Sequence, residues 1–181
     1  MSKTPAPEFS RPIDRRQLSD KPVRVSANAD ECAALAKRFA LVAIDRLEAS
    51  VVLVPEGERI DASGKIMARI MQTCAISGDP LPVTIAEPVA FRFVPAAAME
   101  ADEAEEEIEL SAEELDEIGY TGSSFDLGEA VAQSLALAID PYACGPDAES
   151  VREKAGLTAK GADGPLQRAL GAALGGKQPR K

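Results

Sequence analysis

The stretch Leu47-Glu-Ala-Ser-Val-Val-Leu-Val54, followed at once by Pro55-Glu-Gly57, decides the fold class. Leu47, Ala49, Val51 and Leu53 recur at every second position, and Val52 and Val54 are β-branched. Side chains alternate between the two faces of a strand, so a period of two marks a half-buried strand, and β-branched residues suit its pleat. Pro55-Glu-Gly57 turns the chain back. A second strand is expected from Arg59 to Cys74, with Ile66, Ala68 and Ile70 on one face and Gly64 at a bulge. The stretch Cys74–Pro82, with Gly78, Asp79, Pro80 and Pro82, reads as a turn. A third strand is expected over Val83–Val94, where Val83, Ile85, Val89, Phe91 and Phe93 alternate. Pro88 removes a ladder donor there and marks an edge position or a break.

On either side of these strands the period lengthens to that of a helix. Upstream, Cys32, Leu35, Ala36 and Phe39 fall on one helical face, and Asn28 with Glu31 supplies a cap for the first turn, which predicts a helix over residues 28–40. Downstream, Asp126 with Glu129 forms a second cap signature before Leu127, Val131, Leu135 and Ala138, a helix ending near Asp140-Pro141. Between them, residues 99–107 carry no apolar pattern and read as a solvated acidic loop, with Ile108–Leu110 as a short strand. Phe9–Val25 reads as an extended stretch broken at Pro12 and Pro22. The expectation is a single α+β domain over residues 9–145, an antiparallel sheet packed with two main helices and an acidic loop at 99–117. It is flanked by a disordered tail at 1–8 and a mostly flexible basic tail at 146–181.

The chain has no histidine, which removes the commonest general base and the commonest catalytic metal ligand. No glycine spacing of a phosphate-binding loop precedes Ser63-Gly64-Lys65, and Phe91 and Phe93 read as core rather than as an RNA-stacking pair. The carboxylates Glu113 and Glu114 lie in a field of like charge, with nothing to suggest a pocket that tunes them. A non-enzymatic protein without cofactor is therefore expected, with no catalytic residue. No apolar run approaches the length of a membrane span and no signal sequence stands out, so a soluble cytoplasmic protein is expected. Cys32, Cys74 and Cys144 are odd in number and far apart, as suits a reducing compartment.

The net charge of −10 is unevenly laid out. Residues 99–129 hold 13 acidic and no basic residues, whereas the rest of the chain holds 17 acidic and 20 basic. Both ends are basic. Arg11, Arg15, Arg16, Lys21 and Arg24 are the candidates for RNA phosphate contact, although a solvated strand edge accounts for them equally well.

Several motifs then coincide in order: Gln72-Thr-Cys74-Ala-Ile-Ser77-Gly-Asp-Pro80, then Phe91-Arg-Phe93 and an acidic stretch. Asp126-Leu127-Gly-Glu129, Leu135-Ala-Leu137-Ala-Ile-Asp-Pro141-Tyr-Ala-Cys144 and Pro165-Leu166 follow. In these motifs the chain resembles the YceD-like family, the large ribosomal RNA subunit accumulation proteins, over roughly residues 8 to 175. The resemblance implies a role in accumulation or processing of 23S rRNA during large-subunit assembly. The partner would be 23S rRNA or a pre-50S particle; the alternative is an adaptor whose acidic segment docks a basic ribosomal or processing protein. Neither DNA nor a membrane is an expected partner. Many members of the family carry Cys-x-x-Cys at the hairpin, a pattern that suits zinc. Here the second position is Ser77, and two thiolates without histidine do not complete a tetrahedral site, so no metal is expected.

Overall fold

The computed structural model describes residues 7–19, 21–102 and 116–156. The chain forms two compact units, residues 1–73 with 82–140, and residues 74–81 with 141–181.

The first unit is built on the hairpin of β3 (Ala43–Glu56) and β4 (Arg59–Thr73), turned at Gly57 with φ of 65°. The two strands are antiparallel and pair Leu47 with Ala68, Ala49 with Ile66 and Leu53 with Ala62. All six are buried, as the alternation requires. Each large aliphatic side chain taken fully out of water there stabilises the fold by about 1.5–3 kcal/mol. β2 (Val23–Ser26) lies antiparallel beside β3, and the sheet order is β2-β3-β4-β5-β6, with β5 spanning Pro80–Pro95 and β6 Asp116–Tyr120.

The α+β class holds, with a mixed sheet: β6 runs parallel to β5, pairing Phe91–Pro95 with Asp116–Tyr120. A parallel neighbour needs a crossover of a dozen or more residues, and the connection from Pro95 to Asp116 is long enough. Part of that connection is helical. Residues 99–102, expected as loop, end the helix α2 (Ala96–Asp102), whose alanines are the strongest helix formers. Residues 103–115, including the strand expected at Ile108–Leu110, lie outside the described residues.

One other expectation changes, and of the two alternatives at Pro88 the edge position holds. Gly64 is not at a bulge. It pairs in register with Val51, and the irregularity falls between Ile44 and Arg46 instead. A Cβ at Gly64 would run into the Ser50 carbonyl oxygen, so β3 and β4 meet where only glycine fits. β5 is unbroken at Pro88, because β6 pairs only from Phe91 onward and asks no donor of that proline.

One face of the sheet carries the helices. α1 (Ala29–Arg38) starts at a complete capping box between Asn28 and Glu31 and buries Cys32, Leu35 and Ala36. α3 (Leu127–Ala138) buries Leu127, Ala130, Val131 and Leu135. The N-terminal segment does not simply extend. β1 (Pro12–Asp14) pairs antiparallel with β7 (Ser124–Asp126), and Phe9 is fully buried. Asp126 fastens this corner: its carboxylate caps α3 at the amides of Gly128 and Glu129 and accepts from Ser10 Oγ and from the Arg11 amide at 2.7 Å. The aromatic rings gather beside it, with Phe93 and Phe125 centroids 4.2 Å apart.

In the second unit the turn after β4 is closed by the Gly78 amide on the Cys74 carbonyl, with Gly78 at φ of 78°. The Ala75 amide donates to the Ala143 carbonyl at 3.0 Å, and α4 (Ala148–Lys154) lies within the region expected as a tail. Residues 157–181 lie outside the described residues.

Candidate nucleic-acid interface

The five basic residues marked by the sequence meet very different surroundings. Arg11 is held from four directions. Its guanidinium donates to both carboxylate oxygens of Glu31 at 2.7 and 2.8 Å, to the Ser10 carbonyl and to the Ser26 carbonyl, and it stacks 4.5 Å from the Phe9 ring centroid. Glu31 also accepts from the Asn28 amide, so this ion pair ties the N-terminal segment to the cap of α1. The hydrogen bond from Arg11 holds the Glu31 carboxyl below its usual range.

Arg15 donates to Glu58 at 3.2 Å and faces the Tyr120 hydroxyl at 3.4 Å, while that hydroxyl donates to the Glu58 carbonyl. Arg16 forks onto Asp14 through Nε and Nη2, and the Asp14 carboxyl is lowered to about 2 by that contact. Lys21 and Arg24 are exposed, and neither forms an ion pair among the described residues. The structure therefore gives Arg11, Arg15 and Arg16 partners inside the fold and leaves Lys21 and Arg24 open to solvent.

Arg24 does not stand alone. Among the described residues, β2, β3 and β4 are packed by helices on one face only, and the other face is open. The register brings Arg24, Ser50 and Lys65 into one row across the three strands, and Ser26, Glu48 and Met67 into the next. Arg46 faces Arg69 one step further. Lys65 and Arg69 are exposed and, like Arg24, form no ion pair among the described residues, whereas Arg46 is joined to Glu48 at 2.7 Å. A depression of about 490 Å³ lies on this face, lined among others by Arg24, Ser50, Lys65 and Met67. Towards the hairpin end the charges are neutralised locally, with Arg92 forked onto Asp61.

Lys65 and Arg69 stand outside the dense basic segment at the N-terminal end, so the density of charge along the chain does not mark them. Their signal was positional: in β4 the basic residues occupy the register opposite to Ile66, Ala68 and Ile70, the outward phase of the strand.

The cysteines do not assemble a metal centre. Cys74 is buried and its sulfur accepts from the amides of Gly145 at 3.3 Å and Ser77 at 3.4 Å. These amides, Gly145 foremost, lower the thiol to about 6 despite its burial. Cys144 is exposed and its thiol donates to the Tyr142 carbonyl, and the hairpin position that would complete a thiolate pair is Ser77. Among the described residues no three histidine, cysteine or carboxylate groups come together as ligands, so the residues present do not fit the zinc site that the family resemblance suggests. Nor, among the described residues, is any helix long and apolar enough to cross a membrane.

The family model described as "Large ribosomal RNA subunit accumulation protein YceD" matches residues 62–165, more than half of the chain. No curated protein and no solved structure matches.

Proposed function

The chain belongs to the YceD family of large ribosomal RNA subunit accumulation proteins, and from that membership we propose that it supports accumulation of 23S rRNA during large-subunit assembly, as a cytoplasmic, non-catalytic binding factor. Family membership is the observation that carries this reading. Direct contact with the rRNA or its precursor particle is the mechanism favoured here, because the first unit exposes cations that no carboxylate among the described residues engages, and phosphate contact is the commonest use of such groups in RNA recognition. The lack of histidine and the structural employment of most perturbed carboxylates support a role without turnover.

The test is depletion of the protein in its host, followed by quantification of 23S against 16S rRNA. A selective 23S deficit is expected, and an unchanged ratio overturns the proposal. The acidic run favours a second reading, an adaptor for a basic ribosomal protein. Pull-down with Glu103, Glu105, Glu106, Glu107 and Glu109 replaced by glutamine separates the two, since loss of protein partners with RNA retained would favour the adaptor.

A further inference from the structure

We infer that the open face of the β2-β3-β4 sheet is the RNA-binding surface, with Arg24, Lys65 and Arg69 as its phosphate contacts; this rests on the direct-contact reading above. Three observations converge on it. The first is the availability of charge. Phosphate contact needs a cation whose partner within the fold does not have to be displaced, and these three have none among the described residues, unlike Arg11, Arg15 and Arg16. The carboxylate nearest on the same face, Glu48, is engaged by Arg46.

The second is placement. Lysine and arginine on an outer strand commonly guard a sheet against edge-to-edge pairing, which accounts for Arg24 on β2. It does not account for Lys65 and Arg69. β4 is flanked by β3 and β5 and has no edge to guard. The fold moreover places Arg69 directly opposite Arg46, whose charge Glu48 takes up at 2.7 Å, so Arg69 is the cation of that pair left for an outside anion.

The third is layout. With strands ~4.8 Å apart and a rise of ~3.3 Å per residue, Arg24 and Lys65 stand ~10 Å apart and Lys65 and Arg69 ~13 Å apart. The cations thus mark out an open patch rather than a closed cavity, as suits an extended backbone. Ser26, Ser50 and Ser63 add hydroxyls that can meet phosphate or ribose oxygens, and Met67, 51% exposed between Lys65 and Arg69, offers an apolar spot against which a base or sugar can lie.

The triple variant Arg24→Gln/Lys65→Gln/Arg69→Gln tests this by filter binding to 23S rRNA fragments over a salt series, beside the full-length wild type and Lys37→Gln on the helix-covered side. All three side chains are exposed, and matching circular dichroism and Tm establish that the variant is folded. Each lost phosphate contact reduces the salt slope by ~0.7–0.9, so a slope smaller by about 2 is expected, with affinity at low salt down by roughly 10- to 100-fold and Lys37→Gln within twofold of wild type. A triple variant that binds with wild-type affinity and slope overturns the surface while leaving the functional reading in place. A wild type that fails to bind RNA even at low salt overturns direct contact and this inference with it. Loss of captured acidic proteins with RNA binding untouched would reassign the face to a protein partner and also overturns it.

Discussion

Replacing Arg11 by alanine is expected to weaken the fold and leave RNA binding intact, although the sequence places Arg11 among the RNA contacts. The guanidinium makes a two-pronged ion pair with Glu31 and donates to the carbonyls of Ser10 and Ser26. Its side chain is 33% exposed and that of Glu31 17%, between the surface case, where such pairs contribute ~0–1 kcal/mol, and the buried case, where breaking one costs ~3–5 kcal/mol. Charge-assisted hydrogen bonds contribute ~1.5–3 kcal/mol, and the exposed third of Arg11 argues for the lower half of that range. Glu31 keeps its bond from the Asn28 amide, which limits the damage at the cap. A loss of about 2 kcal/mol follows, and at ~2–4 °C per kcal/mol for a chain of this size the Tm falls by ~4–8 °C.

Thermal unfolding followed by circular dichroism measures the first half of this expectation, and filter binding well below the lowered Tm measures the second. Arg11→Lys keeps the charge but cannot reproduce the planar fork, so it should recover less than half of the lost stability. A Tm within ~1 °C of wild type would refute the structural role. So would an intact Tm combined with a shallower salt slope, which would return Arg11 to the RNA contacts.

Acid sensitivity should trace to the same kind of pair. Arg38 donates to Glu129 at 2.8 Å and to Glu8 at 3.0 Å, and holds the Glu129 carboxyl below its usual range. A carboxyl depressed in the folded state stabilises the fold above its unfolded pKa of ~4.3 and loses that contribution as pH falls through the folded value. Chemical denaturation from pH 7 to pH 3 should therefore show stability falling below about pH 4, and Arg38→Gln should be less stable at pH 7 with a shallower fall; parallel curves for the two would refute the assignment. Gly64→Ala should destabilise by at least ~1–3 kcal/mol, because its Cβ meets the Ser50 backbone rather than a yielding side chain, and a urea midpoint equal to wild type would contradict that close approach. In a Cys32→Ser/Cys144→Ser background, thiolate absorbance should titrate with a midpoint near 6 for Cys74, and a midpoint above 8 would show that the Gly145 and Ser77 amides do not hold the sulfur.

The hairpin and both main helices were legible because their signals are local. The alternation of Leu47–Leu53 and the Asn28 and Asp126 caps each lie within a dozen residues, and β3, α1 and α3 appear where those signals place them. β6 and β7 were not legible: Asp116–Tyr120 and Ser124–Asp126 are short and mostly polar, and they become strands only because β5 and β1 offer ladders at the right distance. The same limit governs the basic residues. A sequence displays a charge but not its partner, and the carboxylates that engage Arg11 and Arg38 lie 20 and 91 residues away. Clustered arginines near the N-terminus are engaged inside the fold, while Lys65 and Arg69, spaced along an ordinary strand, have no ion-pair partner among the described residues.

A net charge of −10 raises an obvious objection to any phosphate-binding role, and for the described carboxylates the geometry of the sheet bears on it. What a phosphate meets is the local field, because at physiological ionic strength charges beyond ~8 Å are largely screened. The described end of the acidic run, Asp116 and Glu117, lies on β6, two strands from β4 and four from β2, hence ~10 and ~19 Å across the sheet. At those separations the acidic strand scarcely reduces the attraction at Lys65 and not at all at Arg24. Overall charge then governs the approach at long range, and the open face governs the contact. Binding should accordingly be weak and slow to form at very low ionic strength relative to a basic protein with the same contacts.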